Sequence, residues 1–256
     1  SMYDVQMVTE QFGVAVGENG GMLMTYDAGR TWVLHSTGTN VELQAVHFSD
    51  SLHGVAGGLG LPILQTDDAG ITWKVRQQGQ ATGEQIAAIR MLTPQVGVAL
   101  GGGNTTCRIY RTEDGGMTWK EIASPTTNPI YAMHFINAQE GWAVGAWNTV
   151  IHTSDAGATW TLRRSEGSGS AGGRRPELRG VFFLDSLRGF MAGRTGQYKD
   201  PGPLYSTTDG GYSWSGSLRN FGTSPGRVVF TTSTTGYLLG SGIIYRTIDG
   251  GKQWSA

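Results

Sequence analysis

An all-β fold of six repeated blades is predicted for this 256-residue chain. Three observations carry the prediction. The octapeptide T-x-D-x-G-x-[T/S/Q]-W occurs six times, at 25–32, 66–73, 112–119, 153–160, 207–214 and 247–254. Its tryptophans, Trp32, Trp73, Trp119, Trp160, Trp214 and Trp254, follow one another at 41, 46, 41, 54 and 40 residues, the period of a four-stranded repeat unit. Between them lie apolar runs of four to six residues, rich in Val, Ile, Phe and Tyr and bounded by glycine clusters. No segment carries a sustained helical stripe.

Each residue of the octapeptide has a physical task. The carboxylates Asp27, Asp68, Asp114, Asp155, Asp209 and Asp249 can accept backbone N–H groups one or two residues on, closing a tight turn. The glycine suits a positive φ or a close approach that a Cβ would block. The threonine and the seventh-position hydroxyl, replaced only by Gln253, can satisfy further turn groups. The tryptophan lays an apolar ring under the loop while its indole N–H seeks an acceptor. A carboxylate used in this way leaves neither a calcium ligand nor a catalytic acid, so the boxes are read as structural and no metal or cofactor is assigned.

Around each box a longer unit repeats. The fourth copy reads Met133-His134-Phe135, Gly141-Trp142-Ala143-Val144-Gly145 and Val150-Ile151-His152-Thr153 before its box, and strands are predicted at 131–136, 141–146, 149–153 and 159–164. The second copy reads Val46-His47-Phe48, Gly54-Val55-Ala56-Gly57 and Ile63-Leu64-Gln65-Thr66. The sixth reads Val228-Val229-Phe230, Gly236-Tyr237-Leu238-Leu239-Gly240 and Ile243-Ile244-Tyr245-Arg246. These units resemble the Asp-box, or BNR, repeat. The regular G-W-A-V-G and T-S-D-A-G-A-T-W form is similar to that of photosystem II stability/assembly factor-like proteins. The resemblance implies a six-bladed β-propeller of four-stranded antiparallel blades, with each box at the corner between strands three and four. It also points to a secreted, periplasmic or organelle-lumen location. One blade cannot bury both its faces alone, so the whole of 1–256 is read as a single propeller domain. The last box is followed by two residues, so the sixth blade is expected to be three-stranded, with a piece of a longer propeller as the alternative.

Composition excludes several classes. Glycine and proline number 41 and 8, about a fifth of the chain, as turns at regular spacing require. A net charge of −1 gives no global signal for nucleic acid, and no apolar window is long enough to span a membrane. The lone Cys107 precludes an intramolecular disulfide and reads as a small, half-buried side chain. His47 and His134 occupy equivalent repeat positions, which argues for packing between blades and against a metal pair.

Function is expected away from the boxes, on the loops joining blades and joining strands two and three. Most are short; the exceptions are 165–178 and 194–203, which account for the 54-residue spacing. From Trp160 to Asp200 there are eight basic and four acidic residues, while the remainder carries five net negative charges. Arg174, Arg175, Arg179, Arg194 and Lys199, with the aromatics Trp147 and Tyr198, are therefore the expected partner-binding residues. The expected activity is that of a non-catalytic binding or assembly scaffold holding an acidic protein segment. The alternative is a carbohydrate-active hydrolase of sialidase type. Its Arg-Ile-Pro hallmark is missing, Arg175-Pro176 lying in the wrong blade. The rim carboxylates Glu18, Glu42, Glu84, Glu166, Glu177 and Asp200 form no pair that the sequence singles out.

Overall fold

A computed structural model describes residues 1–77, 83–165, 176–195, 202–218, 225–240 and 242–256. The fold is a six-bladed β-propeller built from antiparallel meanders, five of four strands and the last of three. Blade one comprises β1 (Met2–Met7), β2 (Gly13–Gly17), β3 (Gly21–Thr25) and β4 (Val33–Ser36). Blade two has β5 (Leu43–Phe48), β6 (Gly54–Gly58), β7 (Ile63–Thr66) and β8 (Lys74–Gln77). Blade three has β9 (Gln85–Met91), β10 (Gly97–Gly102), β11 (Arg108–Thr112) and β12 (Lys120–Ile122). Blade four has β13 (Ile130–Phe135), β14 (Gly141–Gly145), β15 (Val150–Thr153) and β16 (Thr161–Arg164), within two residues of the expected bounds. Blade five has β17 (Pro176–Phe183), β18 (Gly189–Thr195), β19 (Pro203–Thr207) and β20 (Ser215–Leu218). Blade six has β21 (Pro225–Phe230), β22 (Gly236–Gly240) and β23 (Ile244–Thr247), with a single bridge from Arg246 to Ser255 where a fourth strand would begin.

The chain forms two compact units, Ser1–Pro129 with Asp155–Thr159, and Ile130–Ser154 with Trp160–Ala256. In the first, Val14, Val16, Met22 and Met24 of blade one meet Leu43, Val46 and Phe48 of blade two. Ala45, Val55 and Ile63 then meet Ile86, Ile89 and Met91 of blade three. First strands of successive blades are also tied by polar side chains. Gln6 Oε1 accepts from Phe48 N (2.7 Å) while Gln6 Nε2 donates to Phe48 O (3.1 Å). His47, at the equivalent position, accepts from Met91 N through Nδ1 (3.2 Å). Burial, and then the charge of Arg90, hold that imidazole down to about 4, so it is the neutral acceptor the bond needs. The expected packing role of His47 is thus met by a hydrogen bond as well.

In the second unit, Trp142, Val144 and Val150 of blade four pack on Leu178, Val181, Phe183 and Met191 of blade five. Phe190, Ala192 and Leu204 continue onto Val228, Phe230 and Leu238 of blade six. Trp142 is 1% exposed and stacks on Phe183 at 3.8 Å. His134 packs against Phe182 at 4.6 Å, again a contact from one blade to the next. The glycine opening each second strand has a packing reason. A Cβ on Gly141 would lie 2.6 Å from the Phe135 ring, and Gly236 bears the same relation to Phe230.

The box geometry refines the sequence expectation. In the second box Thr66 Oγ1 donates to Asp68 Oδ1 (2.8 Å) and accepts from Gly70 N (2.9 Å). Asp68 accepts Thr72 N (2.8 Å) and Thr72 Oγ1 (2.5 Å), so its main donors lie four residues on, not one or two. The span is longer because Ala69 and Gly70 both take positive φ, 62° and 82°, folding the loop back over the carboxylate. Trp73 Nε1 then donates to Gly70 O (3.1 Å). The same bonds recur at Asp27, Asp114 and Asp209. The sixth box differs because Gln253 offers Asp249 its amide but no hydroxyl. At Asp209 the Ser213 hydroxyl, then its amide, lower the carboxyl to about 2. In the fourth box Trp160 Nε1 is buried and has no acceptor among the described residues.

Candidate functional site

The sequence expectation centres on the ends of blades four and five opposite the boxes. Of its seven residues, Trp147, Arg179 and Arg194 are described; Arg174, Arg175, Lys199 and Tyr198 lie outside the described residues. Arg194 is not on a loop, as the 194–203 boundary suggested, because antiparallel pairing of Glu177 with Arg194 carries β18 to Thr195; Arg179, one residue past the 165–178 insertion, lies within β17.

That register explains the geometry. Glu177 and Arg194 are directly opposed across the β17–β18 pair. Between Leu178 and Gly180 the register shifts, so Arg179 is the extra residue of a β-bulge and its side chain is re-aimed. Blade four has the same bulge at Tyr131, between Ile130 and Ala132. The two bulge side chains meet, with the Arg179 guanidinium 4.1 Å from the centre of the Tyr131 ring. Glu177 is the shared partner. Its Oε2 accepts Arg179 Nη2 (2.8 Å), Arg179 Nε (3.1 Å) and Arg194 Nε (2.7 Å). Burial raises the Glu177 carboxyl, but hydrogen bonds from Arg194 and Arg179 together with their charges outweigh it and leave it below its ordinary value. The three side chains remain 22–37% exposed and together carry one net positive charge.

Trp147 stands beside this group. Ala146 bridges Glu177 along the backbone, and Trp147 and Asn148 follow as the two central residues of the turn from β14 to β15. Both have φ of 53°, which a type I′ hairpin turn requires and which a bulky tryptophan adopts only under strain. Asn148 is 2% exposed; its Nδ2 reaches the Tyr205 hydroxyl at 3.4 Å, and its Oδ1 has no partner among the described residues. Tyr205 lies under Arg164, whose guanidinium is 4.7 Å from the ring centre. Sequence reasoning missed Tyr131, Arg164 and Tyr205 as aromatic and cationic neighbours, and took Glu177 only as a hydrolase candidate. The matched one-residue bulges of β13 and β17 are what relate Tyr131 to Arg179.

The chemistry available is cation-centred. Glu177 is held ionised between two arginines, the reverse of a raised general acid. In the other unit Tyr3, flanked by Glu18 and Glu42, is pushed up by burial and by those carboxylates, opposite to an activated phenolate. Cys107 is pushed up to about 11 by burial, which keeps the thiol protonated and unreactive. Among the described residues no group of His, Cys, Asp and Glu is arranged to hold a metal ion, and no helix is long and apolar enough to cross a membrane.

A family model described as "Photosynthesis system II assembly factor YCF48" matches residues 1–127 and 117–256. The photosystem II assembly protein Ycf48 of Thermosynechococcus vestitus (strain NIES-2133 / IAM M-273 / BP-1) is 44% identical over 45 residues, which is 18% of this chain and 13% of that protein. Among solved structures, one titled "YCF48 bound to D1 peptide" aligns over 97% of this chain and 93% of its own, with a TM-score of 0.59 and 17% identity. The GH74 enzyme of Niastella koreensis aligns over 99% of this chain but 46% of its own, with a TM-score of 0.76 and 16% identity. At such identities the structural likenesses speak to fold alone.

Proposed function

From the premise that this chain belongs to the photosystem II assembly factor YCF48 family, we propose that it is a protein-binding assembly scaffold. Its partner docks as an acidic segment on the ends of blades four and five opposite the boxes. The observation that carries this reading is the convergence of Arg179 and Arg194, one stacked on Tyr131, beside the Trp147 turn. Guanidinium forks bind carboxylates through two parallel hydrogen bonds, and rings beside them supply apolar contact at low entropic cost. A family neighbour whose title records a bound D1 peptide supports a peptide as the kind of ligand. Arg174, Arg175, Lys199 and Tyr198 complete the proposed surface from the adjoining insertions.

The hydrolase alternative has no comparable support. Among the six rim carboxylates, Glu177 alone is described in blades four to six, and it is engaged by arginines. The GH74 likeness concerns fold, and propellers host many activities.

The reading is tested by measuring binding of an acidic peptide to the wild type and to a double variant, Arg179→Glu with Arg194→Glu. Binding that weakens with salt and is lost in the double variant is the expected result. Undiminished binding in that variant would move the surface elsewhere.

A further inference from the structure

We propose that Glu177 is a built-in stand-in for the partner's carboxylate, occupying the Arg179–Arg194 pair in the free protein and leaving it when an acidic segment binds. The inference rests on the reading that these arginines receive the partner. Three features of the group support it. First, the receptor's frame stays formed when the stand-in leaves: the Arg179 guanidinium is held from its other side by the Tyr131 ring, and the Arg194 backbone is fixed by its register in β18. Second, the ions are accessible. Glu177 keeps 22% of its side chain exposed, and the arginines 36% and 37%, so its replacement by another carboxylate does not open a dry cavity. Third, only the side chain has to move. The Glu177 backbone is anchored by Arg194 on one side and Ala146 on the other, while its carboxylate swings about three side-chain bonds.

The consequence is a threshold. One incoming carboxylate merely exchanges with Glu177 and gains little. A segment bringing two or more neighbouring carboxylates replaces one negative charge by several and gains the pair's second positive charge as well. The site should thus favour clustered acidic residues over isolated ones. It is a selectivity device, obtained by placing an acidic residue inside a basic site.

The test uses fluorescence anisotropy of a labelled hexaglutamate peptide, at low salt, against five forms of the chain. They are the wild type, Glu177→Gln, Glu177→Asp, the Arg179→Glu/Arg194→Glu double variant, and Glu10→Gln, a charge-matched control at an exposed site. Glu177→Gln should bind about three- to fivefold more tightly than wild type, the upper end of the range for exposed ion pairs. Glu177→Asp, whose shorter arm cannot span both arginines, should shift the same way and serves if the glutamine variant fails to fold. Glu10→Gln should stay within about twofold. Equal or weaker binding by both Glu177 variants, with binding still lost in the double arginine variant, would overturn the stand-in and leave the docking surface standing. Wild-type binding by the double arginine variant would overturn both.

Discussion

Thr66→Val tests the box on its most informative bond. Valine keeps the shape of threonine and removes the hydroxyl from a residue that is 1% exposed, where that hydroxyl does two things at once. It donates to Asp68 Oδ1 at 2.8 Å, and it accepts the buried Gly70 N–H at 2.9 Å. The first is a charge-assisted bond at a partly solvated carboxylate, so its loss costs about 1 kcal/mol. The second leaves a buried backbone donor with nothing to replace the acceptor, at about 1–3 kcal/mol. Together about 2–3 kcal/mol of destabilisation is expected, allowing for relaxation of the loop. For a chain of this size that lowers the melting temperature by roughly 4–10 °C. Calorimetry should show the drop for Thr66→Val and near-complete recovery for Thr66→Ser, which restores the hydroxyl without the methyl. A valine variant as stable as wild type would refute the claim that the threonine hydroxyl closes the loop, and with it the structural account of all six boxes.

The remaining expectations concern the same frame. Asp155→Ala removes the acceptor for Thr159 N and Oγ1 and should cost about 1–3 kcal/mol in urea unfolding, while excess calcium or a chelator leaves the melting temperature unmoved; a chelator-induced drop would make the boxes metal sites. Asp209, lowered to about 2 from an ordinary 3.8, lends stability that is fully present above 3.8 and lost as pH falls from there toward 2, so Asp209→Asn should flatten the acid limb of the stability curve. His47 is neutral when folded and has a depressed value near 4, so its contribution is present above pH 6.5 and lost as pH falls from 6.5 to 4; His47→Gln should remove that part of the pH dependence, and an unchanged profile would show the imidazole to be free. Finally, among the described residues the outer edge of β23 is paired only through Arg246 and Ser255, whereas β19 is covered along its length by β20, so hydrogen exchange should be faster in β23 than in β19.

Much of this protein is determined locally, and that part is legible in its sequence. Thr, Asp, Gly and Trp at fixed offsets close a loop with their own groups, so six copies of the octapeptide specify six corners without reference to the rest of the chain. Alternating short apolar runs between corners then specify the meander. Tertiary structure decided what depends on register and on neighbouring blades. Which amides reach Asp68 follows from two successive positive-φ residues, only one of which is the glycine that sequence singles out. That Arg179 leans on Tyr131 follows from matched bulges in β13 and β17, separated by 48 positions, and a bulge is a shift of pairing that no local pattern records. The charge excess of 160–200 was countable in the sequence, but not how it is spent. Arg179 and Arg194 share one carboxylate because Glu177 faces Arg194 across an antiparallel pair, and only strand pairing brings residues 17 positions apart to one oxygen.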